Sequence, residues 1–278
     1  MRIGRRAAHR IRRAARTLAD GPARLHLPVM AEPQFFAMPD GRRIAFRLTR
    51  GTRPVATVLF LPGYMSDMSG GKATALFDQA QTLGHGCLLL DYSGCGESDG
   101  AFTDGSLTRW ADEAVTLAEG LTDGPLVLVG SSMGGWLMLL VALRLRQRVA
   151  ALVGIAPAPD FTDWGFDARE QALLASGGTL LRPNDYGHEP TPTHPLFWAD
   201  GQASRLLGAP IPLTCPMRLL HGQADDVVPP ALSLRLADRL ASADVQVTLV
   251  KDGDHRLSTP EQIALLLRTV AALVESTP

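Results

Sequence analysis

The sequence predicts an α/β fold with a mostly parallel central sheet and helices on both faces. Strand-length apolar runs alternate with helix-length segments from about residue 55 to the end of the chain. The strands are apolar throughout rather than at every second position, which is typical of strands covered on both faces. A third observation is a strand, tight turn and helix around residues 126–136. At 278 residues the chain is long enough for one large domain of this class.

The first elements predict a hairpin followed by alternating strands and helices. Two short β-prone pieces between residues 35 and 46 flank Pro39-Asp40-Gly41, where glycine can supply a positive φ. Next come an apolar strand at 55–61, a helix at 72–83, a second buried strand at 87–90 and a helix at 107–121.

The turn at Gly130-Ser131-Ser132-Met133-Gly134 is the main functional signal. Four apolar residues end at Gly130, and helix formers begin just past Gly135. Glycines two positions before and after Ser132 remove Cβ atoms that would clash in so sharp a turn, and the serine hydroxyl is then exposed above the sheet edge. Taken alone, the motif also fits an ordinary strand-to-helix turn that uses small residues for packing.

Beyond this turn the alternation continues, with one interruption. We expect strands at 150–156, 217–220 and 245–250, and helices at 231–240 and 260–274. The last helix has apolar residues spaced along one face. Residues 157–211 break the rhythm with prolines, aromatics and a single convincing helix at 168–175. We interpret this segment as a lid inserted into a domain of residues 31–278, over the carboxyl edge of the sheet.

The charge is segregated along the chain. Residues 1–30 contain eight arginines and one acid, Asp20, although the net charge of the chain is −1. We expect a disordered basic arm at 1–30 and an acidic body, which would repel phosphate backbones, so a nucleic-acid partner is not expected. The arm has no secretory apolar core. It could be an organelle presequence or surface-binding helix, a solvated tail, or a stretch preceding a true start at Met30.

Composition excludes several other classes of protein. No apolar run reaches the roughly 18 residues of a membrane span. Cys87, Cys95 and Cys215 have neither CxxC spacing nor clustered histidines, so we expect no disulfide framework, no metal site and no cofactor. A cytoplasmic location is the simpler expectation, with an organelle matrix as the alternative if the arm is a presequence.

A serine needs a base, and the base needs an orienting group, to become a nucleophile at neutral pH. An acid candidate lies in His221-Gly-Gln-Ala-Asp225-Asp226-Val-Val-Pro229, directly after one predicted strand. A base candidate lies in Gly253-Asp254-His255, directly after the next strand. Because the carboxyl ends of parallel strands meet at one edge, we expect Ser132, His255 and one of the two adjacent aspartates, Asp225 or Asp226, to form a catalytic triad.

Several neighbouring residues have a simpler interpretation. Asp226 could replace Asp225 as the acid, and the residues alone leave this open. His221 is interpreted as a packed structural histidine and Asp254 as solvated. Cys95 has no base paired with it in the sequence, so a nucleophilic role is not expected. His188 and His194 in the lid could contact substrate but are more simply exposed polar residues.

These motifs resemble the α/β-hydrolase superfamily from about residue 35 to residue 274. The order Ser, Asp, His matches it, as do the segments beginning Phe60-Leu-Pro-Gly-Tyr, Asp91-Tyr-Ser-Gly-Cys, Gly130-Ser-Ser-Met-Gly and Cys215-Pro-Met-Arg-Leu. The resemblance selects Asp225 over Asp226 through the spacing to Val228 and Pro229. It implies an oxyanion hole formed by the backbone N–H groups of Tyr64 and Met133, although Pro62 replaces the usual histidine.

The resemblance implies a serine hydrolase that cleaves acyl thioesters or carboxylic esters through an acyl-enzyme on Ser132. The expected substrate is a small-molecule ester or an acylated protein, as in the thioesterase and acyl-glucuronide esterase branch of the superfamily. Two alternatives stay open: hydrolysis of a carbon–carbon bond in a ring-fission product, and a ligand-binding protein of the same fold without catalysis.

Overall fold

The computed structural model describes residues 32–184 and 189–277. The basic arm at 1–30 and His188 lie outside the described residues, so the expectations for them stay predictions. The main sheet has eight strands in the order β1-β2-β4-β3-β5-β6-β9-β10, and β7 and β8 form a separate two-stranded sheet. The strands are β1 Gln34–Ala37, β2 Arg43–Thr49, β3 Thr57–Leu61, β4 Cys87–Leu90, β5 Leu126–Ser131, β6 Val149–Ile155, β7 Leu180–Arg182, β8 Thr191–Thr193, β9 Met217–Gly222 and β10 Val245–Val250.

The main sheet is mostly parallel, as the apolar runs predict. Strand β2 runs antiparallel to both β1 and β4, and all other neighbouring pairs are parallel. The central strands β3, β4 and β5 are buried along nearly their whole length. The predicted hairpin around Pro39-Asp40-Gly41 is present as β1 and β2, and Gly41 has the positive φ that it was expected to supply, 87°.

Helices cover both faces of the sheet. The helices are α1 Gly71–Leu83, α2 Leu107–Leu121, α3 Met133–Arg144, α4 Phe161–Trp164, α5 Ala168–Ala175, α6 Pro195–Ala203, α7 Ala231–Arg239 and α8 Pro260–Glu275. Helix α2 packs with α3, and α1 packs with α8, while α3 and α8 both contact β5 and β6. Within the described residues, no helix combines the length and apolar character needed to cross a membrane.

The segment between β6 and β9 is more regular than the sequence predicts. The expected helix α5 is present, but α4, α6 and the β7–β8 pair accompany it. The prediction of a single helix was therefore wrong. Helix α6 begins with Pro195 at its first position, a recognised start signal. It was missed because prolines crowd the residues before it.

Polar contacts join the two ends of this segment to each other and fasten α6 to the rest of the domain. The carboxylate of Asp160 accepts from the N–H groups of Leu206 and Leu207, both at 2.8 Å. Asp200 of α6 accepts from the N–H of Thr108, at 2.8 Å, in the first turn of α2. A carboxylate is favoured there because the first N–H groups of a helix lack internal acceptors. The beginning and the end of the lid are thus joined to each other, and α6 is attached to α2.

Candidate active site

Ser132 lies in a strained turn between β5 and α3. Its φ is 56° and its ψ is −120°, a conformation that a residue with a side chain rarely adopts. Its N–H donates to the carbonyl of Ile155 at 2.9 Å, and its own carbonyl accepts from the N–H of Gly135 at 2.8 Å. These contacts hold the serine above the carboxyl end of β5.

The flanking glycines are required by close backbone approach, as the sequence predicts. A Cβ at Gly130 would lie 2.2 Å from the carbonyl oxygen of Gly134, and a Cβ at Gly134 would lie 2.0 Å from that of Leu61. Both distances are far below van der Waals contact. Helix α3 can therefore begin directly against β3 and β5, and its N-terminus faces the serine.

The structure brings together the three residues expected to form the triad. Nε2 of His255 lies 3.0 Å from Oγ of Ser132, and Nδ1 lies 2.8 Å from Oδ2 of Asp225. Because Nδ1 faces a carboxylate, it carries the proton, and Nε2 is left to accept from the serine hydroxyl. The three side chains follow β5, β9 and β10, so the sheet edge positions them.

Of the two adjacent aspartates, it is Asp225 whose carboxylate faces the His255 ring. The side chain of Asp225 is fully buried, whereas Asp226 is exposed. Burial alone would raise the pKa of the Asp225 carboxyl. The hydrogen bonds from His221, His255 and the N–H of Val228 outweigh burial and lower that pKa well below its ordinary value. The carboxylate therefore stays ionised beside the imidazole.

Tyr64 and Met133, expected to supply the oxyanion hole, line the same cavity as Ser132. Met133 is the first residue of α3, so its N–H has no acceptor inside the helix. Within the part of the chain that the structure describes, the N–H of Tyr64 has no acceptor either. Two unoccupied donors beside the serine are what an oxyanion hole requires.

The cavity above Ser132 has a volume of about 210 Å³ and is mainly apolar. Its lining comes from the loop after β3, the turn at Ser132, the lid and the loop after β9. The lining residues are Tyr64, Ser132, Met133, Ala158, Phe161, Trp164, Gly165, Phe166, Arg182, Thr191, Thr193, Val227 and Val228. A site of this character suits a hydrocarbon group attached to a reacting carbonyl.

The side chain of Tyr64 connects the cavity wall to the lid. Its hydroxyl donates to the carbonyl of Pro192 in β8 at 2.9 Å. Its ring packs against Phe161 of α4 and Phe197 of α6, with ring centroids 6.1 Å and 4.9 Å away. The residue expected to donate to an oxyanion is therefore held by three parts of the lid.

Three other residues that the sequence offered, Asp254, Cys95 and His194, contribute to local structure. Asp254 is exposed and accepts from the N–H groups of Arg256 and Leu257, closing the turn after His255. Cys95 is partly buried, and burial, followed by nearby carboxylates, raises the pKa of its thiol to about 12. It therefore stays protonated and a poor nucleophile. His194 is not exposed as predicted but half-buried, at the N-terminus of α6 and against Phe102.

The turn after β4 holds the loops of the site in place. Asp91 accepts from the N–H groups of Met68, at 2.7 Å, and Glu97, at 2.9 Å. A Cβ at Gly96 would lie 2.1 Å from the Asp91 carboxylate, so only glycine fits there. Asp91 and Gly96 thus determine the backbone conformation of this turn.

Sequence reasoning missed two contributions to the site. Arg182 and Thr193 line the cavity from the lid, and no local signal marked them. His221 was interpreted as a packed histidine and is fully buried, but it also lies 3.1 Å from the Asp225 carboxylate. Its place near the end of β9, four residues before the acid, was the signal that could have indicated this contact.

Comparisons with known proteins agree with this fold. A family model described as the α/β hydrolase fold matches residues 56–180. The human mitochondrial palmitoyl-protein thioesterase ABHD10 is 38% identical over 245 residues, covering 87% of this chain and 79% of that protein.

Two solved structures extend the match to three dimensions. Mouse α/β hydrolase domain-containing protein 10 has a TM-score of 0.81 and 36% identity, over 88% of this chain and 99% of that one. A structure from Agrobacterium vitis S4 has a TM-score of 0.82 and 37% identity, over 88% and 100%. With relatives this similar over most of its length, the chain belongs to the α/β-hydrolase family and is a hydrolase.

Proposed function

We propose that the chain hydrolyses acyl thioesters or carboxylic esters through an acyl-enzyme on Ser132. The observation that carries this proposal is the continuous line from Ser132 Oγ through the His255 ring to the Asp225 carboxylate. The apolar cavity beside the serine supports an acyl group as the part of the substrate that enters. The names of the mammalian relatives, palmitoyl-protein thioesterases, support a thioester as the reacting bond.

The first half of the reaction forms the acyl-enzyme. His255 accepts the hydroxyl proton of Ser132 at Nε2 while Oγ bonds to the acyl carbon. The carbonyl oxygen becomes an oxyanion that accepts from the N–H groups of Tyr64 and Met133. As the tetrahedral species collapses, the imidazolium returns its proton to the departing thiol or alcohol.

The second half repeats these steps with water as the nucleophile. His255 takes a proton from water, whose oxygen attacks the acyl carbon, and Ser132 leaves with that proton. The products are a carboxylic acid and the free enzyme. Asp225 holds the imidazole orientation and stabilises its charge in both halves.

Replacing the serine tests this proposal. We expect Ser132→Ala to lower kcat on an activated thioester by about 10⁴-fold or more and to leave the melting temperature nearly unchanged, because the triad loses its nucleophile. Fluorophosphonate labelling should disappear in the same variant. Retained turnover would contradict the proposal. A wild-type chain that neither reacts with the fluorophosphonate nor turns over any ester would favour the ligand-binding alternative. Release of a carbon–carbon cleavage product from a ring-fission substrate would favour the other alternative.

For the location of the chain, we propose an organelle matrix. The expectation of a cytoplasmic protein lacks support among the mammalian relatives, which are named mitochondrial. The eight arginines of residues 1–30 are compatible with a presequence. Imaging of the tagged chain with and without these residues tests this, since a cytoplasmic signal from both forms would contradict it.

A further inference from the structure

A second histidine contacts the carboxylate of Asp225. Nε2 of His221 lies 3.1 Å from Oδ2, the same oxygen that faces Nδ1 of His255 at 2.8 Å. The other oxygen, Oδ1, accepts from the N–H groups of Val227 at 2.9 Å and Val228 at 2.8 Å. The side chains of His221 and Asp225 are both fully buried.

The surroundings of His221 determine which of its nitrogens carries a proton. Nε2 faces two acceptors, Oδ2 of Asp225 and the carbonyl oxygen of Val228 at 2.9 Å. A bare nitrogen there would face two oxygens without a hydrogen between them, so Nε2 must carry a proton. Nδ1 lies 2.7 Å from Oγ of Ser233, a hydroxyl that can donate to it. The neutral Nε2–H tautomer thus satisfies every polar atom of the ring.

We propose that His221 is a positioning residue that acts through Asp225. Its N–H fixes the rotation of the carboxylate so that Oδ2 stays directed at Nδ1 of His255. The proposal rests on the triad proposed above. Without this donor the carboxylate would be held by two backbone amides at Oδ1 and, at Oδ2, only by the His255 ring that it has to orient.

The same network ties the acid loop to the sheet and to α7. His221 belongs to β9, Ser233 belongs to α7, and Val228 lies in the loop between them. Two elements and the connecting loop thus converge on one imidazole ring. A packing role alone would be met by any side chain of similar volume, whereas this role requires a donor at the Nε2 position.

Two variants of His221 separate these roles. The amide nitrogen of glutamine reaches the place of Nε2, whereas that of asparagine reaches the place of Nδ1 and cannot contact Asp225. We expect His221→Asn to lower kcat about 10- to 100-fold with little change in KM, the effect of losing one charge-assisted hydrogen bond to the acid. His221→Gln should recover most of the loss. Equal loss in both variants, or normal turnover in His221→Asn, would overturn the proposal.

His85→Asn is a matched control. His85 is also buried and also faces a carboxylate, Glu275, but it precedes β4, at the edge of the sheet opposite the serine. It should leave kcat unchanged, whereas a fall like that of His221→Asn would overturn the specific role.

A measurement on the unmodified protein does not depend on the activity of the variants. Nitrogen-15 NMR of the imidazole rings should show His221 as the Nε2–H tautomer at neutral pH, with its signals assigned by their loss in His221→Gln. An Nδ1–H tautomer would overturn the proposal outright. The Ser132→Ala result stands apart, because an active Ser132→Ala variant would refute the proposed function without altering the tautomer.

Discussion

Asp225 and Asp226 are neighbours in the chain but occupy opposite environments. Side chains at successive positions point in different directions, so only one of the two can reach His255. The carboxylate of Asp225 is buried among hydrogen-bond donors, which lower its pKa, and that of Asp226 is exposed. Asp225 therefore stays ionised between about pH 5 and pH 9.

Replacing each aspartate by asparagine tests this difference. Asp225→Asn keeps the size of the side chain but presents an amide that can stabilise the wrong imidazole tautomer, and we expect kcat to fall by about 10⁴-fold. Asp226→Asn is the matched control and should change kcat little. Turnover of one activated ester at pH 7 measures both. The acid would be misassigned if Asp226→Asn were the inactive variant, and a shared role would follow if both fell equally.

At the residue scale, the sequence could indicate the residues whose spacing reflects local chemistry. Ser132 lies in a turn that needs glycines, and Asp225 and His255 directly follow strands, so topology alone brings them to one edge. The contact between His221 and Asp225 was not predicted, because it depends on the curvature of a single loop. Arg182 could not be predicted either, since the lid segment that carries it has no periodic pattern.

At the scale of elements, the lid is part of the candidate site rather than a cover for it. Its helices α4 and α6 supply the rings that hold Tyr64, and β8 supplies the carbonyl that accepts from the Tyr64 hydroxyl. Burial raises the pKa of this phenol well above its ordinary value, so it stays a donor at any working pH. The position of β8 is thereby coupled to the loop that presents the Tyr64 N–H.

Tyr64→Phe tests this coupling, since it removes the hydroxyl and keeps the ring. We expect the melting temperature to fall by about 2 to 4 °C, the effect of one buried hydrogen bond. We also expect kcat to fall by about three- to tenfold, because the backbone donor is less firmly placed. Thermal melts and initial rates on one ester measure the two effects.

Asp200→Asn is the control for this experiment, because it weakens the lid attachment at Thr108 and leaves the Tyr64 contact in place. It should lower the melting temperature without lowering kcat on a small ester. Unchanged turnover in Tyr64→Phe would show that the hydroxyl serves the fold alone.

The elements differ in how well their sequences predicted them. The apolar strands and α8 were predicted closely, since burial on two faces leaves a continuous apolar run and burial of one helix face leaves a helical period. Strands β7 and β8 have three residues each, and Pro192 lies inside β8. Proline is disfavoured in strands and three residues show no period, so tertiary contacts with Tyr64 and the lid helices determine this pair.

At the scale of the whole molecule, the last helix, α8, connects several parts of the domain. Helix α8 packs on α1 and contacts β5 and β6, and its final residue, Glu275, reaches the loop between β2 and β3. There its carboxylate accepts from Arg53, with Nη2 at 2.6 Å, and lies 2.8 Å from Nε2 of the buried His85. The exposed carboxylate of Glu275 thus connects α8 to two loops at the edge of the sheet opposite Ser132.

The stabilising effect of Glu275 should depend on pH. Hydrogen bonds from Arg53 and then His85 lower its pKa from about 4.5 to about 2. A carboxyl whose pKa is lower in the folded state stabilises the fold above its unfolded pKa, and this contribution is lost as the pH falls towards the folded value.

We expect Glu275→Gln to lower the melting temperature at pH 7. The effect should be slight, because a partly exposed ion pair is screened by solvent. The difference from the wild type should narrow between pH 4.5 and pH 3. Thermal melts across this range measure it, with Glu119→Gln, at an exposed carboxylate of α2, as the control that should show no such trend. A difference that stays constant with pH would show that Glu275 stabilises α8 by packing and not by its charge.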